Sequence, residues 1–258
     1  MPASSSPHNI QALLFDVFGT VVDWHGHISS ELSEKARGSQ YPDEDWSTFA
    51  TEWRAGYKRL TKLGAETGNG PKTVDEMHQI LLDEMLESPR WSHLRNIWNA
   101  SDRRHLVLAW HRLPPWHDSV PALNALKQRA IIATLSNGNT RLLIDMAKNA
   151  NLPWDAVFSS QLFDSYKPNP KVYQGAVNLL DLPTENVALV AAHIYDCAAA
   201  KAAGLQAIYV RRPTEDHSVD SYIINNAVQS GQADYIVDDF WGIVSLLTEN
   251  EATQSYTT

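Results

Sequence analysis

Residues 13–24 read Leu-Leu-Phe-Asp16-Val-Phe18-Gly-Thr20-Val-Val-Asp-Trp, and this stretch decides the fold. An apolar run ends in a carboxylate, and Gly and Thr follow before the chain becomes apolar again. This pattern is typical of a buried strand that places one Asp at its C-terminal end, the edge of an open α/β sheet at which ligands bind. Asp16 is therefore our candidate for a catalytic carboxylate.

Six short runs of apolar and β-branched residues predict strands: Gln11–Phe15, Ile131–Leu135, Ala156–Ser159, Val187–Ala191, Ala207–Val210 and Tyr235–Val237. Several are nearly continuous in apolar character, as expected for strands of a parallel sheet that is covered on both faces. Apolar residues at helical spacing separate most of them, over Asn139–Asn149, Pro170–Leu180 and Ala198–Ala203. The alternation predicts an α/β fold with a doubly wound parallel sheet, a Rossmann-like core.

The long segment between the first two predicted strands follows a different pattern. Residues 24–112 contain no convincing strand, and amphipathic helices are predicted over Ser47–Leu63, Val74–Leu86 and Ser101–Arg112. We predict an inserted helical cap domain at 24–112 and an α/β core domain at 9–23 and 113–248, with flexible termini at 1–8 and 249–258. A cap over the end of the Asp16 strand would form a closable cavity that excludes water.

Composition limits the classes of partner. The 258 residues are 43% hydrophobic and carry a formal net charge of −9, without a basic block, which argues against a nucleic-acid partner. The single cysteine, Cys197, permits no intramolecular disulfide, and the first residues have neither a basic start nor a long apolar stretch. We expect a cytoplasmic protein without a membrane span, in which an anionic ligand would need a local cationic pocket.

Polar side chains with chemical uses follow four of the predicted strands, and parallel strands would bring all of them to one edge of the sheet. The groups are Asp16 with Thr20, Ser136 with Asn137, Lys167 with the later Tyr173, and His193 with Asp196. Each group alone is also typical of a turn, a surface charge or a core residue. Their order along the chain favours the catalytic interpretation.

The chemistry of these groups fits a covalent mechanism. A carboxylate such as Asp16 can act as a nucleophile and divide one hard displacement into two easier steps. A cation such as Lys167 would keep that carboxylate ionised. Ser136 and Asn137 precede a helix start, which is a ready site for an anion. A neutral His193 near a carboxylate could act as a general base for water.

These motifs resemble the haloacid dehalogenase superfamily over nearly the whole chain. Its first motif is Asp-x-Asp-x-Thr or Asp-x-x-x-Thr, matched by Asp16-Val-Phe18-Gly-Thr20, and its second is a Ser or Thr, matched by Ser136 in Leu-Ser-Asn-Gly. Its third motif is a Lys, matched by Lys167 in Tyr-Lys-Pro, and its fourth is an acidic loop, matched by Asp196.

Two departures indicate the branch of the superfamily. Phosphatases of the superfamily carry a second Asp two residues after the nucleophile, where this chain has Phe18. They also bind Mg²⁺ through several carboxylates, whereas Asp196 has His193 and Tyr195 as neighbours here. The chain is more similar to the type II 2-haloacid dehalogenases in Phe-Asp-x-Phe-Gly-Thr, Leu-Ser-Asn-Gly and Tyr-Lys-Pro-x-x-x-Val-Tyr. This similarity implies an enzyme that needs no metal or other cofactor.

The resemblance also implies roles for individual residues. Asp16 would attack the carbon that bears the halogen, and water would then hydrolyse the aspartyl ester to release a 2-hydroxy acid. Ser136 and backbone N–H groups would hold the carboxylate of a small anionic substrate, while Asn137 and an arginine of the cap would hold the departing halide. Arg54 matches that arginine best, with Arg59 as its rival. Thr20, Phe18 and Tyr173 would complete the substrate site, and the family suggests a homodimer.

His193 leaves an alternative open. The dehalogenases that match best otherwise have Ser-x-Asn before the final Asp, where this chain has Ala191 and His193. His193-x-x-Asp196 is similar to a dehalogenase-like branch and to the cis-epoxysuccinate hydrolases of the same superfamily, which use the same ester chemistry on an epoxide. A phosphatase is disfavoured by Phe18. A non-catalytic binding protein is disfavoured by the complete set of Asp16, Lys167 and Asp196.

Overall fold

The computed structural model describes residues 9–255, with side chains described for 9–248. Six parallel strands form one sheet in the order β3-β2-β1-β4-β5-β6. Their bounds are β1 Ala12–Phe15, β2 Ile131–Ser136, β3 Ala156–Ser159, β4 Val187–Ala191, β5 Gln206–Val210 and β6 Tyr235–Val237. All six predicted strands are therefore present, each within one residue of its predicted bounds.

Helices flank the sheet and fill the segment between its first two strands. The bounds are α1 Trp24–Ala36, α2 Trp46–Thr67, α3 Val74–Glu87, α4 Ala100–Ala109, α5 Ser119–Leu126, α6 Thr140–Ala150, α7 Pro170–Leu180, α8 Ile194–Ala202, α9 Ser221–Asn225 and α10 Phe240–Ser255. Short 3₁₀ turns occupy 92–94, 110–112, 160–163 and 184–186.

Both faces of the sheet are buried, which explains the continuous apolar runs. Leu13 and Phe15 of β1 pack on the face covered by α5, α6 and α10, and Ala12 and Leu14 pack on the face covered by α7 and α8. Neighbouring residues of a strand point to opposite faces, so a strand covered on both sides needs an apolar residue at every position. The predicted doubly wound sheet is confirmed.

Helices α1 to α4 make up the inserted cap, whose interior is unusually aromatic. Six of the nine tryptophans lie in 24–112 and all six are buried: Trp24, Trp46, Trp53, Trp91, Trp98 and Trp110. The ring of Phe18, just after β1, lies 6.0 Å from that of Tyr57 and 6.2 Å from that of Trp110. Aromatic pairs at such spacings stabilise beyond their buried area, so the cap is packed directly onto the residues that follow Asp16.

Helix α1 was missed in the sequence, and the physical reason is its narrow apolar stripe. Only Trp24, Ile28, Leu32 and Ala36 are buried, each four residues after the last. Asp23 begins the helix, because its side chain accepts a hydrogen bond from the N–H of Gly26. Glycine and two serines weaken the helical propensity of the exposed face.

Four other boundaries differ from the predictions. Helix α2 ends at Thr67, four residues beyond the predicted end at Leu63. Helix α8 begins at Ile194, four residues before the predicted start. The predicted helix over 101–112 ends at Ala109 and continues as a 3₁₀ turn, and α10 extends to Ser255, within the predicted tail. The predicted flexible segment 1–8 and residues 256–258 lie outside the described residues. Within 9–255, we find no helix with the length and apolar character needed to cross a membrane.

Candidate active site

Asp16 directly follows β1, where the order of the strands reverses. Strand β1 has β2 on one side and β4 on the other, and the crossovers to these strands leave a crevice between them. The backbone N–H of Asp16 donates to the carbonyl of Val190 in β4 at 2.9 Å. The carboxylate is held at the end of a rigid strand and lines a cavity of about 540 Å³ beneath α2.

Lys167 bridges two carboxylates in this crevice. Its Nζ donates to Asp16 Oδ1 at 2.9 Å and to Asp196 Oδ2 at 2.5 Å, and all three side chains are buried. Burial alone would raise the pKa of Asp16, but the Lys167 ammonium and a hydrogen bond from His193 hold that pKa well below its usual range. Burial also favours loss of the Lys167 proton, yet the two carboxylates raise its pKa. Asp16 is therefore an ionised potential nucleophile.

Thr20 and Tyr173 support these carboxylates from behind. The hydroxyl of Thr20 donates to Asp16 Oδ2 at 2.9 Å and accepts from the N–H of Ala192 at 2.9 Å. The hydroxyl of Tyr173 donates to Asp196 Oδ1 at 2.5 Å. Both residues are fully buried, so their hydroxyls orient the carboxylates and do not line the cavity.

A buried ion pair fixes the loop that carries Thr20. Arg212, just after β5, donates from Nε to the carbonyl of Thr20 at 2.9 Å and from Nη1 to Asp118 Oδ1 at 2.8 Å. The other oxygen of Asp118 accepts from the N–H of Phe240 at 2.8 Å. Asp118 is fully buried, and it pairs with the planar guanidinium of Arg212.

Ser136 and Asn137 end β2 and differ in what they contact. The side chain of Asn137 lines the cavity, accepts from the N–H of Lys167 at 2.7 Å and donates to the carbonyl of Lys167 at 3.2 Å. The hydroxyl of Ser136 accepts from the N–H of Gly138 at 3.2 Å and is buried away from the cavity. Asn137 thus holds the backbone of Lys167 in place, and Ser136 shapes the turn.

His193 lies between two carboxylates. It is the N-cap residue of α8, its Nδ1 lies 3.1 Å from Asp16 Oδ2, and its Nε2 lies 2.7 Å from Oε2 of Glu215. Burial lowers the pKa of His193, but the hydrogen bonds to Asp16 and Glu215 outweigh it and raise that pKa to about 9. At neutral pH the ring is an imidazolium that donates to both carboxylates.

Arg54 projects from α2 into the same cavity with an unusual environment. Its guanidinium carbon lies 4.5 Å from the centre of the Tyr57 ring, 5.1 Å from that of Phe18 and 5.6 Å from that of Trp24. Arg54 is 5% exposed, and its Nε and Nη1 have no hydrogen-bond partner within the described residues 9–248. A buried cation with unsatisfied donors at a cavity wall is suited to an anionic ligand.

The two candidate arginines differ in burial. The side chain of Arg59 is 66% exposed, pairs with Glu84 at 3.7 Å and does not line the cavity. Arg54, five residues earlier, lies on the opposite side of α2. The predicted residues Asp16, Phe18, Arg54, Asn137, Lys167 and His193 all line the cavity, whereas Thr20, Ser136, Tyr173 and Asp196 lie behind its wall.

Two buried residues next to the site, Glu215 and Trp24, are not among the predicted site residues. Glu215 is 6% exposed, and its Oε1 accepts from Trp24 Nε1 at 2.5 Å while its Oε2 contacts His193. One signal could have found Glu215, because it follows β5 by a few residues and so belongs to the same sheet edge as Asp16. Nothing in the spacing of Trp24 indicates a contact with a residue almost two hundred positions later.

Comparison with known proteins identifies the family. A family model described as a haloacid dehalogenase-like hydrolase matches residues 10–204. The chain belongs to this family. The match confirms the predicted family, and it spans the inserted cap and the strands that carry Asp16, Ser136, Lys167 and Asp196.

Several characterised members of the family are similar to this chain. A solved structure of a defluorinating L-2-haloacid dehalogenase is 36% identical with a TM-score of 0.82, covering 94% of this chain and 97% of its own. Another L-2-haloacid dehalogenase is 33% identical with a TM-score of 0.78, covering 92% and 99%. The (S)-2-haloacid dehalogenase 1 of Pseudomonas sp. (strain CBS-3) is 28% identical over 207 residues, 79% of this chain and 85% of that protein.

Proposed function

We propose that this protein is a hydrolase that removes halide from short 2-haloalkanoic acids and releases 2-hydroxy acids. The proposal rests on two buried groups that line the same cavity. One is the ionised carboxylate of Asp16, and the other is the Arg54 guanidinium, whose Nε and Nη1 have no hydrogen-bond partner among the described residues. The former is a nucleophile for carbon, and the latter is a site for an anion. The names of the relatives, 2-haloacid dehalogenases at up to 36% identity, support the same substrate class.

The first half-reaction needs a nucleophile, an anion site and no acid. Asp16 attacks the carbon that bears the halogen, an aspartyl ester forms, and the halide leaves with the bonding electron pair. Arg54 and Asn137 line the cavity wall and would hold the departing halide. Halide is a leaving group that needs no proton, so Phe18 suits this step. The aromatic ring, 1% exposed, replaces the acid of the phosphatases and keeps water from the nucleophile.

The second half-reaction hydrolyses the ester. Water attacks the Asp16 carbonyl carbon, His193 is the candidate base and Lys167 remains as the cation beside the carbonyl oxygen. Thr20, Ser136, Tyr173 and Asp196 support the reacting groups from behind the cavity wall.

We propose that this chemistry is independent of metal ions. The Lys167 ammonium already bridges Asp16 and Asp196, the carboxylates that a divalent cation would need. Activity measured with a chelator should equal activity without one. Phosphate release that requires Mg²⁺ would contradict both the metal-free chemistry and the interpretation of Phe18.

The test of the proposed function is halide release from L-2-chloropropionate. We expect chloride and lactate in equal amounts, and Asp16→Asn should release none. A single turnover in ¹⁸O-labelled water should place the label on Asp16, because the product hydroxyl comes from the Asp16 carboxylate. The substrate class would be refuted if no short 2-haloacid released halide. Label that appears directly in the product would refute the ester intermediate.

His193 favours a second candidate, the hydrolysis of an epoxy acid such as cis-epoxysuccinate. An epoxide leaves an alkoxide that needs a proton, and His193 is protonated at neutral pH and lies 3.1 Å from the nucleophile. Asp16 would attack the epoxide carbon in the same way. Diol release that is lost in His193→Ala would support this candidate, and failure to open any epoxide would remove it.

We propose, in addition, the domain boundaries given above, a cytoplasmic location and a homodimer. The single Cys197 is buried and unpaired by disulfide, which suits a reducing compartment. Light scattering at several concentrations tests the dimer, and a single mass of 28.9 kDa would refute it.

A further inference from the structure

We propose that Glu215 is a positioning residue that fixes His193 as the base for hydrolysis of the aspartyl ester. This inference rests on the proposed ester chemistry and concerns its second half alone. Glu215 belongs to none of the four motifs of the sequence, yet its carboxylate is buried beside the candidate base. His193 contacts Asp16 through Nδ1 and Glu215 through Nε2, so the three side chains form the chain Asp16–His193–Glu215.

Glu215 is held by contacts from two parts of the molecule. Trp24 Nε1, at the start of the cap, donates to Oε1 at 2.5 Å, and His193 Nε2 contacts Oε2 at 2.7 Å. Gly19 makes room for it, since a Cβ at that position would lie 2.4 Å from Glu215 Cδ. Gly19 also has a φ of 83°, which favours glycine. The glycine of the Asp16 motif thus admits the carboxylate that contacts His193.

This contact fixes which nitrogen of the neutral ring carries the proton. Glu215 is a hydrogen-bond acceptor at neutral pH, because His193 lowers its pKa although burial opposes this shift. A carboxylate at Nε2 keeps the proton on Nε2 and leaves the Nδ1 lone pair directed toward Asp16. Water that attacks the Asp16 ester approaches on that side. Without Glu215, the other tautomer would turn an N–H toward the water and could not accept its proton.

The charges around His193 change during the reaction. In the free enzyme the ring faces Asp16 and Glu215, with the Tyr195 ring centred 5.5 Å away and the Arg54 cation acting on Glu215. Once Asp16 is esterified, its negative charge is gone and one of the two groups that hold the proton on His193 is removed. The imidazolium then releases its Nδ1 proton to solvent and becomes a base, paired only with Glu215.

Each proton that moves during ester hydrolysis has a donor and an acceptor. Water adds to the Asp16 carbonyl carbon, and its proton moves to His193 Nδ1. The bond between that carbon and the ester oxygen breaks, and the leaving alkoxide takes the proton from Nδ1 to become the product hydroxyl. The remaining Asp16 carboxyl then gives its proton to Nδ1. The free enzyme again holds an Asp16 carboxylate and a His193 imidazolium, and the sum is RX + H₂O → ROH + X⁻ + H⁺.

The test is Glu215→Gln, which keeps the shape of the side chain and removes its charge. Ester formation precedes the step that needs the base, so kcat/KM for halide release should stay near the wild-type value. We expect kcat to fall roughly 10–100-fold, as for loss of an orienting carboxylate, with KM falling by the same factor. A burst of one equivalent of halide should precede slow turnover, and mass spectrometry should find the ester on Asp16. Glu215→Asp should recover part of kcat.

A matched control lies in the cap, away from His193 and Glu215. Glu44 Oε2 contacts His93 Nε2 at 2.6 Å, a similar pair outside the cavity. Glu44→Gln should have the kcat, the KM and the time course of halide release of the wild-type protein.

The pH profile gives a second measurement on Glu215→Gln. The rising limb of its kcat–pH profile should move to lower pH, because His193 has lost its anionic partner and therefore loses its proton at lower pH.

Equal losses of kcat and kcat/KM in Glu215→Gln, without ester accumulation, would overturn the proposal. A kcat of Glu215→Gln equal to that of the wild-type protein would also overturn it. Failure of the proposed function is distinguishable, because wild-type protein would then release no halide and form no adduct on Asp16. If Glu215→Gln does not fold, Trp24→Phe removes the contact with Oε1 and should lower kcat at constant kcat/KM, by a smaller factor than Glu215→Gln.

Discussion

Arg54→Met should make the free protein more stable and nearly inactive. Arg54 is 5% exposed, no acceptor among residues 9–248 meets its Nε and Nη1, and three aromatic rings lie within 5.6 Å of its guanidinium carbon. Methionine is about two atoms shorter than arginine, but its unbranched, adaptable chain packs well against aromatic rings. The substitution therefore removes the charge and keeps an apolar side chain against the rings.

The magnitude follows from opposing contributions. Burying an unpaired ion costs several kcal/mol, and the attraction to each ring recovers roughly 0.5–2 kcal/mol. We expect the free energy of unfolding to rise by about 1–3 kcal/mol in Arg54→Met. Two charge-assisted hydrogen bonds to substrate are worth about 1.5–3 kcal/mol each. Their loss should lower kcat/KM by roughly 10²–10⁴-fold.

The assay combines urea unfolding, followed by circular dichroism, with halide release. Bromide should stabilise the wild-type protein against urea beyond the effect of an equal ionic strength of sulfate, and it should have no such effect on Arg54→Met. Arg59→Met serves as the matched control, because Arg59 is exposed on the same helix. Its stability should change by less than about 0.5 kcal/mol.

Loss of stability together with retained activity in Arg54→Met would refute the reasoning. That result would mean that the rings stabilise the cation more than burial penalises it, and that the anion binds elsewhere. Retained bromide stabilisation in the variant would refute the anion site alone.

Three further outcomes are expected. Asp118→Ala leaves the buried Arg212 unpaired and should lower the free energy of unfolding, measured in urea, by about 3–5 kcal/mol. Glu87→Gln breaks an exposed ion pair and should change that free energy by less than about 1 kcal/mol. Similar values for the two variants would contradict the burial argument. Because pairing raises the pKa of His193 to about 9, its contribution to stability is full below pH 6.5 and is lost as pH rises through about 9. The stability of wild type relative to His193→Gln should therefore decrease over that interval, and a constant difference would show that the ring is not protonated in the folded protein. Prolonged dialysis against a chelator should leave halide release unchanged, and restoration of lost activity by Mg²⁺ would contradict the metal-free chemistry.

The local sequence was sufficient to predict the strands of the sheet and the residues that lie at its C-terminal edge. A parallel sheet buried on both faces requires continuous apolar strands, so the six runs could be found without contacts. The positions of Asp16, Lys167, His193 and Asp196 followed, because the C-terminal ends of parallel strands share one edge. Helix α1 could not be predicted in this way, because only four of its residues are buried and its apolar stripe is narrow.

The finer structure of the site depends on contacts that spacing does not encode. Arg54 and Arg59 are both consistent with the sequence pattern, and only the rotation of α2 over the sheet buries one and exposes the other. Ser136 was expected to bind substrate, but its hydroxyl is used by the turn and lies away from the cavity.

Glu215 is the clearest case of a site residue whose position depends on long-range contacts and not on local sequence. A doubly wound sheet with a nucleophile at the end of its first strand could be predicted from local patterns, because strand burial and strand order leave a periodic signal. The meeting of Glu215, Trp24 and the open space at Gly19 behind His193 depends on the folded chain. The physical reason is that a hydrogen bond between residues 24 and 215 depends on the directions of two side chains from separate elements, and no local periodicity records those directions.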